Sequence, residues 1–188
     1  LGHGFTSPMT TTIRSMIARN NTNLSDALIS GRGQLRNDLD PSSFKALVFF
    51  TDGRPTALRA VFPVGGTNWD AVITGDQDPS GTVDPQLYRY DQFHTAISGV
   101  RYNAPTFPGG LPKTVVNLQS LANQNFKQAA TIARRDGFTI YTIGLGNPRV
   151  SQAWIKPDAR LLIKIANVPS GIDPQTGATI VNPNYDPS

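Results

Sequence analysis

The fold of this chain is indicated most clearly by one stretch, Phe44-Lys45-Ala46-Leu47-Val48-Phe49-Phe50-Thr51-Asp52-Gly53. Its apolar run is too short for a membrane span and is rich in Val and Phe, so it predicts a strand that is buried on both faces. Asp52 follows directly at the carboxyl end of this strand, where α/β proteins hold their binding sites. An Asp-Gly pair on its own is also an ordinary turn, so other segments have to decide between a turn and a site.

The composition indicates one folded domain. The 188 residues are 38% hydrophobic and 16% charged, which suits a chain with a real core. The net charge of +4 is spread along the sequence, so we expect no nucleic-acid stripe and no polybasic membrane patch. The chain has no cysteine, which excludes disulfides and thiolate metal sites. No apolar stretch approaches membrane length, so any membrane anchor is expected in sequence outside this chain.

Hydrophobic periodicity predicts further elements on both sides of the strand. They are a helix after Pro8 that ends near Asn20, a helix over residues 24–35, a short strand over 57–64, a long helix over 115–133, a strand over 138–145 and a helix over 161–166. Asn23 is placed to cap the second helix, and Gly137 to end the long one. This order of strands and helices predicts an α/β fold with a right-handed crossover.

Residues 65–112 are rich in Gly, Pro and Asp and show no strong periodicity. They contain the aromatic residues Trp69, Tyr88, Tyr90, Phe93, Tyr102 and Phe107. A segment of this length is uncommon inside a compact domain, and its aromatic residues argue against a flexible linker. We therefore predict an inserted excursion that packs on the surface of the domain and contacts a partner, with a loop of no binding function as the alternative.

Three blocks carry a resemblance to a known family. They are Asn21-Thr22-Asn23-Leu24-Ser25-Asp26-Ala27-Leu28, Ala46-Leu47-Val48-Phe49-Phe50-Thr51-Asp52-Gly53-Arg54-Pro55, and Ala130-Thr131-Ile132-Ala133-Arg134-Arg135-Asp136-Gly137-Phe138-Thr139-Ile140-Tyr141-Thr142-Ile143-Gly144-Leu145-Gly146. In order and spacing they resemble a von Willebrand factor type A domain. Residues 49–59 and 158–167 further resemble bacterial pilus-assembly proteins of the TadG type. The resemblance implies a Rossmann-like α/β domain, of which residues 1–188 form a single, incomplete, C-terminal portion with residues 65–112 inserted.

The resemblance also implies a metal site. In the family, a divalent ion, usually Mg²⁺, is held by an Asp-x-Ser-x-Ser turn, a Thr from a second loop and an Asp after the next strand, and oxygen ligands of this kind suit the ion. By motif, Thr22 would be the Thr ligand and Asp52 the carboxylate. The Asp-x-Ser-x-Ser motif is absent and would lie upstream of Leu1, so the site in this chain would be incomplete. Thr22 on its own would be an ordinary loop threonine.

The sequence gives little support for a dinucleotide site, a zinc site or a catalytic serine. Gly31-Arg32-Gly33 and Gly144-Leu145-Gly146 lack the third glycine of a dinucleotide fingerprint. His3 and His94 have no companion for zinc binding. Ser25, Asp26 and His94 have no Gly-x-Ser-x-Gly elbow, so we expect no enzyme.

The sequence therefore predicts a protein-recognition or adhesion module of a cell-surface or pilus-assembly protein, on the extracellular or periplasmic side. The partner would be a protein or a neighbouring subunit, bound at or near the metal edge. The alternative is a metal-free scaffold that binds through the aromatic-rich insertion. In the family the strand that ends in Thr-Asp-Gly lies beside the first strand. We therefore expect a segment from outside residues 1–188 to pair with Phe44–Thr51, whose uncharged edge would otherwise invite aggregation.

Overall fold

The structure is a computed structural model that describes residues 22–37, 40, 42–51, 54–74, 86–90, 96–101, 106–107, 109–145 and 158–185. In this part of the chain the elements follow in the order α1 (Leu24–Arg36), β1 (Ala46–Thr51), β2 (Ala57–Val64), β3 (Thr67–Thr74), β4 (Gln86–Tyr90), β5 (Ala96–Arg101), β6 (Thr106–Phe107), β7 (Leu111–Pro112), α2 (Val115–Arg135), β8 (Thr139–Gly144), α3 (Ala159–Ile165), β9 (Ser170–Ile172) and β10 (Thr179–Val181). The helix predicted after Pro8 and the candidate ligand Asp52 lie outside the described residues. The described residues contain helices, strands and a parallel pair of strands, and this agrees with the predicted α/β class.

The helix ends lie where local chemistry predicts them. The side chain of Asn23 accepts a hydrogen bond from the amide of Asp26 at 3.2 Å and so begins α1. Thr114 caps α2 in the same way through the amide of Asn117. At the other end of α2, Gly137 has φ +81° and donates its amide to the carbonyl of Arg134. That left-handed conformation is one that glycine adopts readily, so the predicted stop of the long helix is confirmed.

The strands β1 and β8 form a parallel pair, in register from Ala46 with Thr139 to Thr51 with Gly144. One face of this pair is buried, because Phe49 and Ile140 pack there against the helices. The opposite face is exposed: Val48 is 54% and Phe50 58% accessible to solvent. The prediction of a strand buried on both faces is therefore wrong for β1, since packing covers only one side of it.

The neighbour of β1 also differs from the expectation. We expected its pairing partner to come from outside residues 1–188, but β8 of the same chain pairs with it on one edge. In the described part of the chain no strand pairs with its other edge. The local sequence of β1 indicated that it would pair but carried no information on which strand would reach it.

The second sheet is an antiparallel meander in the order β2-β3-β4-β5. Its β2–β3 turn contains Gly65 and Gly66, both with positive φ. Ile73 of β3 is fully buried and Ala71 almost so, and Phe107 is 1% exposed. These three residues fall within residues 65–112, so this segment has a buried face, and the excursion that packs on the surface of the domain stays a prediction. Regular strand pairing gives the segment a buried face that its turn-rich composition did not indicate. The division of the chain into one domain with an insertion stays a prediction.

Helix α2 lies between two hydrophobic clusters and contributes residues to both. Its carboxyl half contributes Phe126, Ala129, Ala130 and Ala133 to a cluster with α1, β1, β8 and α3. Its amino half contributes Leu118 and Ala122 to a cluster with β2, β3 and Phe107. In the first cluster the rings of Phe49 and Phe126 lie 5.0 Å apart between centroids. One helix thus fixes both sheets, and with them the carboxyl edge of β1.

Candidate functional site at the carboxyl edge of the parallel sheet

The carboxyl ends of β1 and β8 meet at one edge of the sheet because the strands are parallel. The amide of Leu145 donates to the carbonyl of Thr51 at 2.7 Å, which extends the pairing to the last residue of β1. Thr51 is buried, and so are Pro55 and Thr56 in the segment that precedes β2. This edge is therefore a packed structure that can hold side chains in fixed positions.

Thr22 is held against the same edge by three hydrogen bonds. Its amide donates to Oγ1 of Thr56 at 2.8 Å. Its carbonyl accepts from the amides of Thr56 at 2.9 Å and Ala57 at 3.1 Å. The residue before the cap of α1 is thus tied to Thr56 and Ala57. Thr22 therefore lies beside the residues that precede and begin β2.

Of the two predicted metal ligands, only Thr22 lies within the described residues. Thr22 is half-buried at this edge, whereas Asp52 lies outside the described residues. Within the described ranges no group of three or more His, Asp or Glu side chains is placed to hold a metal ion. The roles of Thr22 and Asp52 as ligands of Mg²⁺ stay predictions.

Two buried N–H donors at this edge were not foreseen from the sequence. Among the described residues, Nδ2 of Asn23 and Nε of Arg54 are shielded from solvent and have no hydrogen-bond partner. Oδ1 of Asn23 is already engaged, because it accepts from Ser25 Oγ at 3.0 Å and from the Asp26 amide. These two contacts identify Oδ1 as the acceptor and leave Nδ2 as the free end of the amide. The sequence signal was the cation Arg54, directly after Thr51-Asp52-Gly53.

This donor set does not fit a divalent cation. Mg²⁺ and Ca²⁺ take oxygen ligands, and a guanidinium or an amide N–H cannot bind them. Of the side-chain oxygens here, Thr56 Oγ1 already accepts a hydrogen bond. The buried, unsatisfied groups described at this edge are therefore N–H donors and not oxygen ligands.

The outward face of the β1–β8 pair forms a second surface feature, which we call the apolar face. It consists of Phe44, Val48, Phe50, Tyr141, Ile143 and Leu145, whose side chains are 41–75% exposed. The strand register places Val48 opposite Tyr141 and Phe50 opposite Ile143, so these four side chains are adjacent, and Phe44 and Leu145 lie just before β1 and just after β8. Parallel sheets are normally covered on both faces. On folded proteins, large exposed apolar patches are often sites of interaction.

An ion-pair cluster links the antiparallel sheet to α1. Arg59 of β2 contacts Asp26 of α1 and Asp70 of β3, each at 2.9 Å. The hydrogen bonds from Arg59 lower the pKa of Asp70, and the two carboxylates raise the pKa of Arg59. A groove of about 150 Å³ lies next to this cluster, and Arg32 and Arg59 both line it. Because both arginines are already paired with aspartates, the groove offers little free charge to a ligand.

No protein family matches the sequence, and no curated protein matches it. The chain is similar to two crystal structures of the pilus adhesin SpaC from Lactobacillus rhamnosus GG, one of them in an open conformation. The identities are 17% and 16%, the TM-score is 0.47 for both, and the match covers 89% and 88% of this chain but 18% of SpaC. A similarity at this level supports no inference about fold or function. Among the described helices, none has the length and apolar character needed to cross a membrane.

Proposed function

We propose that this chain is a protein-recognition module and not an enzyme, and that a partner polypeptide covers the apolar face. The observation that carries the proposal is the set of large apolar side chains on one side of the β1–β8 pair. A face of this kind in water costs free energy until another surface excludes the water.

The size of the apolar face fits an interface. Its three aromatic members, Phe44, Phe50 and Tyr141, are 75%, 58% and 49% exposed. With 150–250 Å² for a whole aromatic side chain, they alone present roughly 300–450 Å². Standard protein interfaces bury about 800 Å² on each partner, so the apolar face supplies the core of such a surface.

The occupant that we propose is an extended apolar segment of the partner. In the described part of the chain, no strand pairs with the second edge of β1. Residues 46–50 of β1 carry no charge, Pro or Gly that would oppose pairing. A strand added there would make backbone hydrogen bonds and would place its side chains beside the apolar face.

The finer predictions of the sequence belong to this proposal. We place the module on a cell surface or in a pilus assembly, because of the resemblance of its three sequence blocks. Recognition assisted by Mg²⁺ at Thr22 and Asp52 rests on the same resemblance. The alternative, a metal-free scaffold that binds through residues 65–112, loses support at Ala71, Ile73 and Phe107, because these side chains are buried in the core.

Site-specific photo-crosslinking in the native cell tests the proposal. A photoreactive phenylalanine analogue is placed at Phe50 on the apolar face and, as a matched control, at Val61 on β2. The two positions are 58% and 59% exposed, so they differ in location and not in accessibility. We expect a discrete crosslinked polypeptide from position 50 and none from position 61. Equal yields at both positions, or none at position 50, would refute the apolar face as the recognition surface.

A further inference from the structure

We propose that the groove between α1 and α2 binds one tryptophan side chain of a partner polypeptide. The groove has a volume of about 150 Å³, and the residues that line it come from α1, α2 and β2. It is therefore separate from the apolar face on β1 and β8. A failure of this proposal would leave the recognition surface of the apolar face untouched.

One face of each helix lines the groove. α1 contributes Ser25 and Ile29, and α2 contributes Asn125, Ala129 and Ile132, in each case about one helical turn apart. Ser25 and Ala129 have small side chains and are buried. Ile29 and Ile132 are large, and they remain 49% and 37% exposed. A ligand that covers these two aliphatic side chains gains free energy because it excludes water from them.

The volume of the groove corresponds to one aromatic ring. In another protein, an apolar cavity of about 150 Å³ that is lined by aliphatic and aromatic side chains takes up benzene. The groove between α1 and α2 has a volume of about 150 Å³ but is open to solvent. A ring bound in it can therefore remain attached to a polypeptide outside, and the second ring of an indole can extend toward the opening.

Two arginines that line the groove favour an aromatic side chain over a charged one. Arg59 donates from Nε and Nη2 to Asp70 at 3.0 and 2.9 Å, and from Nη1 to Asp26 at 2.9 Å. These bonds use the edge of the planar guanidinium, so Arg59 offers a ligand its flat face. Arg32 is paired with Asp136 at 2.7 Å. The arginines repel a cation, the aspartates already neutralise them toward an anion, and an aromatic ring can stack on the guanidinium face.

Asn125 favours tryptophan among the aromatic residues. Its Nδ2 donates to the carbonyl of Arg59 at 3.3 Å, and because a carbonyl only accepts, this contact identifies the nitrogen end of the amide. No donor among the described residues reaches Oδ1, which leaves an acceptor at the groove. The indole N–H is a donor that needs such an acceptor when it is buried. Tryptophan is also the aromatic residue that attracts a cation most strongly.

Nuclear magnetic resonance on the protein with ¹³C-labelled isoleucine methyl groups tests the site, because an aromatic ring shifts the signals of methyl groups that lie over its face. The probes are N-acetyl-tryptophanamide, its 1-methyl derivative, which lacks the indole N–H, and N-acetyl-leucinamide as a competitor. The usual binding efficiency of small ligands predicts a dissociation constant of about 10 mM for the tryptophan probe. We expect saturable upfield shifts at Ile29 and Ile132 with this probe and smaller shifts with the 1-methyl derivative. An equal concentration of the leucine probe should leave the shifts in place.

Variants separate the groove from other exposed apolar positions. Ile29→Asn removes one wall, and it should reduce the shift of Ile132 at a fixed probe concentration at least about fivefold. Val116→Asn is the matched control, since Val116 is a 73% exposed residue of α2 outside the groove, and it should leave the shift unchanged. Arg59→Lys keeps the charge but loses the planar face, and it should reduce the shift about two- to fivefold.

The comparison of Ile29→Asn with Val116→Asn decides the matter if Arg59→Lys fails to fold. Undiminished shifts in Ile29→Asn, or an equal loss in Val116→Asn, would overturn the groove as the binding site. Equal shifts with the 1-methyl derivative, or displacement of the tryptophan probe by the leucine probe, would overturn the assignment to tryptophan.

Discussion

The substitution Ile73→Ala tests whether the antiparallel sheet belongs to the cooperative core of the protein. Ile73 lies on β3 and is fully buried in the cluster that contains Leu118 and Ala122 of α2. Truncation of a fully buried Ile or Leu to Ala costs about 2–5 kcal/mol, because apolar contacts are lost and a cavity remains. We expect a loss of about 3 kcal/mol for Ile73→Ala. With a urea dependence of about 2 kcal/mol per molar, the midpoint of unfolding should fall by about 1.5 M.

The assay is equilibrium unfolding in urea, followed by circular dichroism and by hydrogen exchange of the β8 amides. Because α2 carries both clusters, loss of stability at Ile73 should increase exchange in β8, which belongs to the other cluster. Val61→Thr is the matched control, since Val61 lies on the adjacent strand with its side chain 59% exposed. It should change the free energy of unfolding by less than about 0.5 kcal/mol. An unchanged midpoint in Ile73→Ala, or unchanged exchange in β8, would show that the insertion is a separate surface excursion after all.

Three further predictions concern charge, backbone geometry and metal. Arg59 lowers the pKa of Asp70 in the folded protein, so the ion pair stabilises the fold above the ordinary pKa of 3.8. This stabilisation is lost as the pH falls through the lower pKa of the folded state. Asp70→Asn should therefore remove this part of the acid dependence of the unfolding midpoint. Gly137→Ala should cost about 1–2 kcal/mol at φ +81°, whereas Gly33→Ala, in α1 with free space around the added methyl group, should stabilise by about 0.5–1 kcal/mol in thermal unfolding. Calorimetric titration with Mg²⁺ tests the predicted site: binding that persists unchanged in Asp52→Ala would exclude Asp52 as a ligand.

The local sequence predicted the helix ends because their causes are local. Asn23 and Asp158 accept hydrogen bonds from amides three residues further along the chain. Gly137 adopts the left-handed conformation at the residue that follows the cap of α2. Interactions of this kind involve neighbours in the chain, so residue types and spacing are enough to identify them. The apolar runs of β1 and β8 were recognisable as strands for the same reason.

Burial, in contrast, depends on elements that are distant in the chain. The period of two in β1 places Phe49 and Phe50 on opposite faces, but nothing local says that helices cover Phe49 and leave Phe50 exposed. Likewise Ile73 becomes a core residue only because α2, more than forty residues later, packs on the antiparallel sheet.

In the candidate site, too, the sequence determined some features and only the tertiary structure decided others. The sequence alone determined that a Thr in one loop and an Asp after a strand occur in family order, and that a cation follows them in Arg54. Only the tertiary structure decided that Thr22 bonds to Thr56, across 34 residues of chain, and that two N–H donors are buried there without partners. The physical reason is that a hydrogen bond left unmade is a property of the folded surroundings, because every donor in the unfolded chain is satisfied by water.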